Sequence, residues 1–255
     1  MGKMILACAI FAALAGSYAQ AEDKKPDNEV SFNASLVSDY RYRGISQTRL
    51  DPALQGGVDY TNNPTGLYAG TWLSTIKWIK DTPGAGSTPA EWDIYGGKKG
   101  EITKGVTYDV GGLWYVYLNN KLQNATCQCY ANANTFELYG QIGYGPAYIK
   151  YSHSLTNLFG NPDSHNSGYL DIGANVDVAE GLTVNLHAGR QRIKGINDPV
   201  ASYTDWKVGL TKDFGVVTGS VAAVGTNADE VFYASPANGK FMGKKALVLS
   251  VGKTF

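Results

Sequence analysis

The chain has 255 residues and no excess of either charge, since Lys and Arg together number 22, as do Asp and Glu. A near-neutral chain without a basic cluster argues against a nucleic-acid partner. Only 17% of the residues are charged, whereas there are 31 Gly, 17 Tyr and 5 Trp, a composition typical of the wall of a transmembrane barrel.

The N-terminus has the pattern of a secretory signal peptide. Lys3 precedes an apolar run from Met4 to about Leu14, and residues 19–21 read Ala-Gln-Ala, a small-x-small cleavage pattern. The run is shorter than the ~20 apolar residues of a spanning helix. We therefore predict a cleaved signal peptide over residues 1–21, a short periplasmic segment over 22–28 and a single domain over 29–255.

Period-two alternation recurs along that domain in segments of about ten residues. In the clearest segment, Val106, Tyr108 and Val110 share one face, and Thr107 and Asp109 share the other. Successive side chains of a strand point to opposite faces, and a tilted strand of ~9–11 residues crosses a bilayer. About twelve such segments follow one another, although residues 216–224 are too uniformly small and apolar to assign their faces.

The connections between these segments alternate in length. Short connections fall at 62–65, 99–104, 143–146, 179–181 and 214–215, and long ones at 43–51, 77–90, 119–134, 156–167, 193–203 and 226–245. Outer-membrane barrels have short periplasmic turns and longer extracellular loops. The predicted fold is all-β: a transmembrane antiparallel up-and-down β-barrel of about twelve strands in a bacterial outer membrane.

The C-terminal residue, Phe255, fits the same interpretation. Outer-membrane barrels usually end in an aromatic residue, so Phe255 predicts recognition by the barrel-assembly machinery, with outer-membrane lipid and lipopolysaccharide as further partners. Lys253 departs from the alternation and would snorkel to the headgroups. A soluble periplasmic sandwich or lipocalin-like barrel is the alternative, disfavoured because the alternation leaves little to build a separate dry core.

Four stretches resemble the TorF-like family of outer-membrane porins: Leu36–Gln47 (LVSDYRYRGISQ), Pro52–Gly57 (PALQGG), Tyr68–Trp72 (YAGTW) and Glu91–Gly97 (EWDIYGG). Beyond residue 100 only the barrel pattern is similar. The resemblance implies an outer-membrane barrel that acts as a porin, and it transfers no solute and no catalytic residue.

Charged residues of both signs occupy the polar faces and are the candidate pore-lining residues. They are Asp39, Arg41, Arg43, Asp59, Asp93, Asp109, Glu137, Lys150, Asp171, Asp205 and Lys207. Charge in a pore sets ion selectivity, so we predict passive diffusion of small hydrophilic solutes or ions. The same groups could instead pair and plug a barrel only slightly wider than the eight-stranded kind that side chains fill.

Arg41 and Arg43 are predicted at the external end of the first strand, on the face that also carries Asp39. There they would form a basic eyelet or a ladder of salt bridges. Arg190 and Arg192 fall near an external rim, where contact with lipopolysaccharide phosphates and lumen lining are both open.

Two other functions remain as alternatives. The first is a non-conducting structural or adhesive barrel. The second is a lipid-modifying enzyme, suggested by Ser152, His153 and Ser154, but adjacent strand residues point to opposite faces, so His153 cannot serve either neighbouring hydroxyl.

Cys127 and Cys129 form a C-x-C pair that predicts a local disulfide or two free thiols, since a zinc site needs a second pair of ligands. No catalytic, cofactor-binding or metal-ligating residue is predicted.

Overall fold

The structure, a computed structural model, describes residues 26–255. The predicted signal peptide, residues 1–21, lies outside the described residues, as does the start of the segment predicted over 22–28. Between residues 26 and 255, no helix combines the length and the apolar character that crossing a bilayer demands.

Strands make up nearly all the regular structure of residues 26–255. In chain order they are β1 (Asn28–Val37), β2 (Arg41–Tyr42), β3 (Ile45–Ser46), β4 (Ala53–Asn62), β5 (Leu67–Thr75), β6 (Ala90–Thr103), β7 (Val106–Tyr117), β8 (Thr135–Tyr144), β9 (Ala147–Ser154), β10 (Gly168–Ala179), β11 (Leu182–Arg192), β12 (Tyr203–Asp213), β13 (Thr218–Thr226) and β14 (Ala246–Thr254). A single 3₁₀ turn, Leu122–Asn124, lies in the connection between β7 and β8.

Twelve of these strands form one closed antiparallel barrel in which each strand pairs with its neighbours in sequence, and β1 closes on β14. At the closure, Leu36 pairs with Val251, and Phe32 and Phe255 exchange two backbone hydrogen bonds. The short strands β2 and β3 form a separate hairpin. The prediction of about twelve strands in an up-and-down barrel is confirmed.

Short and long connections alternate as predicted, so the barrel has two different ends. We call them the turn end, which carries the short connections, and the loop end, which carries the long ones. Gly181, for example, has a positive φ in the short turn between β10 and β11, a conformation that glycine adopts without steric cost.

The two faces of the strands differ as the alternation predicts. Along β14, Leu247, Leu249 and Val251 point outward and are 71%, 57% and 45% exposed. Asp171, Asp205 and similar polar residues are buried inside. The apolar side chains therefore face away from the protein, which inverts the arrangement of a water-soluble domain.

Inside the barrel, tyrosine rings lie flat over glycines of the neighbouring strand. Tyr148 pairs with Gly173 across β9 and β10, and a Cβ atom at Gly173 would lie 2.5 Å from the Tyr148 Cζ. Tyr139 covers Gly111 in the same way. Since a glycine leaves room for the ring against the wall, the tyrosines line the lumen without crossing it.

The loop end of the interior contains a packed aromatic core, contrary to the expectation of little dry core. Tyr115, Tyr117 and Trp72 of the wall pack with Ile76 and Ile79 of a loop, all at most 6% exposed. Many tyrosines thus face inward. The long loops fold into the barrel mouth, and this core is where they anchor.

Candidate functional site

The first long loop, residues 38–52, enters the barrel and reaches across its interior. Its hairpin, β2–β3, turns at Arg43 and Gly44, whose φ angles are 46° and 79°. Two positive φ angles at the centre of a two-residue turn are typical of a type I′ hairpin. A Cβ atom at Gly44 would lie 2.7 Å from the Asp205 Cβ, so the tip of the hairpin contacts the wall at β12.

Arg43 links this hairpin to the far side of the barrel. Its guanidinium donates to both carboxylate oxygens of Glu137 on β8, at 3.0 and 2.7 Å, and to Oε1 of Gln191 on β11 at 2.7 Å. The side chains of Arg43 and Glu137 are 6% and 2% exposed. The guanidinium also lies 4.3 Å from the ring centroid of Tyr169. A bidentate, buried pair of this kind has a defined geometry, so Arg43 is a latch for the hairpin.

Other hydrogen bonds fix the base of the hairpin. Asp39 accepts from Arg41 Nε and from the Ser46 hydroxyl, each at 2.5 Å. Arg41 Nη1 donates to the carbonyl oxygens of Met242 and Lys244, at 3.0 and 3.1 Å. The loop 38–52 is therefore bound to the last long loop as well as to the wall.

The predicted position of Arg41 and Arg43 on the first strand is wrong. β1 ends at Val37, and both arginines lie in the inserted loop. The polar alternation continues past the strand because the hairpin strands also alternate, so the period alone does not reveal where pairing with the barrel stops. The pair Asp39–Arg41 agrees with the salt-bridge alternative.

Two cavities lie on opposite sides of the hairpin, and Tyr42 and Arg43 border both. The larger, of about 720 Å³, extends to residues of the turn end such as Asp213 and Thr254. The smaller, of about 170 Å³, lies at the loop end among Trp78, Phe232 and their neighbours. The hairpin thus divides the interior at the level of Arg43.

Seven of the eleven candidate pore-lining residues border the larger cavity: Asp39, Arg41, Arg43, Lys150, Asp171, Asp205 and Lys207. The remaining four also point inward but are not on its wall. Asp59 and Asp109 each accept a 2.6 Å hydrogen bond, from Tyr95 and Tyr68 respectively. Glu137 holds the latch, and Asp93 is completely buried with neither carboxylate oxygen hydrogen-bonded. That any of the eleven lines a conducting pore stays a prediction.

A second polar cluster lies on the cavity wall below the hairpin tip. His187 is held between two carboxylates, with Nδ1 at 2.8 Å from Asp171 and Nε2 at 2.8 Å from Asp205. The hydroxyl of Tyr169 lies 3.0 Å from Asp205. Each ring nitrogen is engaged by a carboxylate oxygen, so neither is left free to act as a base.

His187, Tyr169 and Gln191 belong to this site and were missed by sequence reasoning. The polar face of β11 offered a weak signal, because Asn185, His187, Gly189 and Gln191 alternate with apolar or basic residues. Their partners lie on the paired strands β10 and β12 and in the first loop, at positions that only the strand register and the path of the loop reveal. The dipeptide Arg43-Gly44 was a stronger signal for a turn that went unused.

The structure also places the remaining residues that the sequence singled out. Cys127 and Cys129 form a disulfide and are therefore not two free thiols. Ser152 and Ser154 are buried inside the barrel, while His153 lies on the outer face beside Asn166, so His153 reaches neither serine, as predicted. Over residues 26–255, no three His, Cys, Asp or Glu side chains form a group that could hold a metal ion.

Residues 20–255 match the sequence profile of a family described as bacterial proteins of unknown function, Gcw_chp. The chain belongs to this family. None of the curated proteins compared with it matches its sequence. The Gcw_chp match neither shows nor contradicts the narrower resemblance to TorF-like porins, which stays a prediction.

Several solved structures similar to this Gcw_chp protein are porins or outer-membrane channels. The NanC porin is 10% identical with a TM-score of 0.55, over 89% of this chain and 98% of that one. The KdgM porin is 6% identical with a TM-score of 0.51, over 89% and 97%. The COG4313 outer membrane channel from Pseudomonas putida F1 is 11% identical with a TM-score of 0.50, over 93% and 99%. At such low identity the likeness establishes the fold: a twelve-stranded antiparallel barrel of the porin kind.

Proposed function

We propose that this protein is an outer-membrane channel for the passive diffusion of small hydrophilic solutes or ions, narrowed by the Arg43 hairpin. The observation that carries the proposal is the cavity of about 720 Å³, which runs from the hairpin to the turn end and whose wall carries polar and charged side chains among apolar ones. A water-accessible interior behind an apolar outer wall is the arrangement of a membrane pore.

The outer surface supports the proposed location. The aliphatic side chains of Ile172 and Val208 are each 52% exposed in the middle of their strands. Closure of the barrel pairs the strand edges, as hydrocarbon requires. The predicted signal peptide and the likeness to porins support the same location, with the turn end in the periplasm and the loop end outside.

The lining of the larger cavity supports weak ion selectivity, because cations and anions alternate along it. Lys150 pairs in register with Asp171, and Asp205 and Lys207 follow each other on the inner face of β12. The ammonium of Lys150 lies 4.0 Å from the ring centroid of Tyr139. Neither sign of charge dominates the wall, so no strong preference for anions or cations is expected.

A non-conducting barrel is the second candidate, and the latch itself favours it. Arg43 is joined to β8 by a buried ion pair with Glu137 and to β11 by a hydrogen bond to Gln191, and such contacts across the lumen oppose the passage of solute. In a channel, the hairpin leaves a continuous path through the lumen or can move to open one. In a non-conducting barrel, it does neither.

Conductance of the pure protein in a planar bilayer separates them. Stepwise currents are expected for a channel, with a larger step for the double variant Arg43→Gln, Glu137→Gln, which removes the latch without changing net charge. Silence in both proteins would support the non-conducting barrel, and currents only in the variant would show a hairpin that closes the pore. Ser250→Ala, on the cavity wall near the turn end, is the control and should leave the step unchanged.

The charge of the latch can be tested separately by the reversal potential under a salt gradient. Arg43→Gln alone leaves Glu137 unneutralised, so the potential should shift toward cation selectivity. The double variant, in which the lost charges cancel, should restore the wild-type value. Equal potentials in all three proteins would contradict a conducting path past Arg43.

A further inference from the structure

Three basic side chains form a strip on the outer wall at the loop end. Arg190 and Arg192 are exposed on β11, and Lys194 continues their spacing beyond the strand. Gln191, between the two arginines, points inward to Arg43. The alternation therefore turns Arg190 and Arg192 outward. They lie on the outer wall near the external rim and do not line the lumen.

The strip begins where the apolar band of the wall ends. On the same face of β11, Leu186 and Ala188 precede Arg190, and Trp206 on β12 pairs with Ala188. Trp206 and Tyr151 point outward and are 37% and 49% exposed. Tyrosine and tryptophan on the outside of a barrel mark the level of the headgroups, so the cations lie at that level and on its outer side.

None of these three cations has an acidic partner among residues 26–255. Arg190 donates to the Thr204 hydroxyl at 3.3 Å. Among residues 26–255, no acidic oxygen lies within 4.0 Å of a charged nitrogen of Arg190, Arg192 or Lys194. The outward positions of β9, β10 and β12 nearby are also free of acid: Tyr151, His153, Gly168, Leu170, Thr204 and Trp206. Asp163 and Asp198 lie in the adjoining loops and are exposed.

We propose that Arg190, Arg192 and Lys194 bind the phosphorylated sugar headgroup of an outer-leaflet glycolipid of the lipopolysaccharide kind. Arginine forms bidentate hydrogen bonds with phosphate oxygens, and alternate strand residues are roughly 7 Å apart, which allows more than one phosphate to be contacted. The acyl chains would lie along Leu186, Ala188 and Trp206. The inference rests on the proposed outer-membrane location and not on conduction.

The test is lipid binding to the purified barrel in detergent, measured by native mass spectrometry. The probes are a deep-rough lipopolysaccharide, the same lipid after enzymatic removal of its phosphates, and phosphatidylglycerol. The variant is Arg190→Gln, Arg192→Gln, Lys194→Gln. The matched control, Lys240→Gln, Lys244→Gln, Lys245→Gln, removes three charges from another loop at the same end. Mobility shifts on heating in gels verify that each variant is folded.

The strip variant should bind the phosphorylated glycolipid at least about tenfold more weakly than the wild type, as loss of charge-assisted hydrogen bonds implies. The control should stay within about twofold of the wild type, and the dephosphorylated lipid should bind the wild type as weakly as the intact lipid binds the strip variant. Equal losses in both variants, equal binding without phosphates, equal competition by phosphatidylglycerol or no binding by the wild type would each overturn the proposal. Conductance, measured separately, decides the proposed function, so the two can fail independently.

Discussion

At the scale of single residues, the interior depends on glycines that face tyrosines. The chain contains 31 Gly and 17 Tyr, and pairs such as Gly173 with Tyr148 and Gly111 with Tyr139 show why both are needed. A ring that lies flat on the wall shields the glycine backbone and does not cross the lumen. The glycines are thus places of close approach.

We predict that Gly173→Ala destabilises the barrel by about 1–3 kcal/mol, because the new methyl group forces the Tyr148 ring off the wall. Gly140→Ala is the control, since a Cβ atom there would meet Val110 Cγ1 only at 3.9 Å. Urea unfolding in detergent measures both. In the double variant Tyr148→Ala, Gly173→Ala, the methyl group has no ring to displace, so the losses should be clearly less than additive; additive losses would refute the contact.

At the scale of elements, the first loop is held by more than the latch. Lys77, in the loop after β5, donates to Asp51 at 2.5 Å, and its backbone N–H donates to the Gln47 carbonyl oxygen at 2.9 Å. Arg49, in the first loop, forms an ion pair with Asp81, in the loop after β5, at 3.3 Å. Two loops at the barrel mouth are thereby joined, which keeps the hairpin inside the lumen.

The hydrogen bond from Lys77 holds the pKa of Asp51 below its ordinary value, helped by the charges of Lys77 and Arg49. A lowered pKa means that this contact stabilises the loop above the ordinary carboxyl pKa, near pH 4, and that the contribution is lost as the pH falls through the lowered value. The effect is small because the Asp51 side chain is 47% exposed. In an NMR titration, Lys77→Met should raise the pKa of Asp51, whereas Lys80→Met, in the same loop, should not.

At the scale of the whole molecule, the outer wall is a continuous apolar surface, and this separates the protein from a soluble barrel. Phe32, Leu54, Ile142 and Leu247 belong to four different strands and are 53–71% exposed. Such a surface is stable only where hydrocarbon or another protein covers it. A mature polypeptide that stayed monodisperse in buffer without detergent would contradict the proposed location.

We predict that Ile172→Arg, in the middle of β10, lowers the stability of the barrel in lipid bilayers by about 2–4 kcal/mol, since a cation at mid-depth loses its hydration. Ile196→Arg is the matched control, because Ile196 is also exposed, at 67% against 52%, but lies in a loop. Folding titrations into vesicles give both free energies. Comparable losses at the two positions would argue that no lipid covers β10.

Features that depend on neighbouring residues could be predicted from the sequence, whereas contacts between distant residues could not. The strand segments, their faces and the alternation of short and long connections were predictable, as β10 and β14 illustrate, because each depends on neighbouring residues. The end of β1 was not, since the polar alternation of residues 39–43 is the same whether they pair with the barrel or form a hairpin within it. Arg43 was named as a candidate, but its partner Glu137 lies 94 residues away.

The sequence by itself therefore determined the barrel: the number of strands, the apolar outer wall and the polar inner wall. Successive side chains of a strand point to opposite faces, so a period of two shows which residues face lipid and which face the lumen. Only the tertiary structure decided what fills that barrel. Entry of the first loop and the latch between Arg43 and Glu137 depend on closure of the sheet, which places β8 across the lumen from the loop that follows β1. The carboxylates around His187 depend on the register in which β10 and β12 pair with β11.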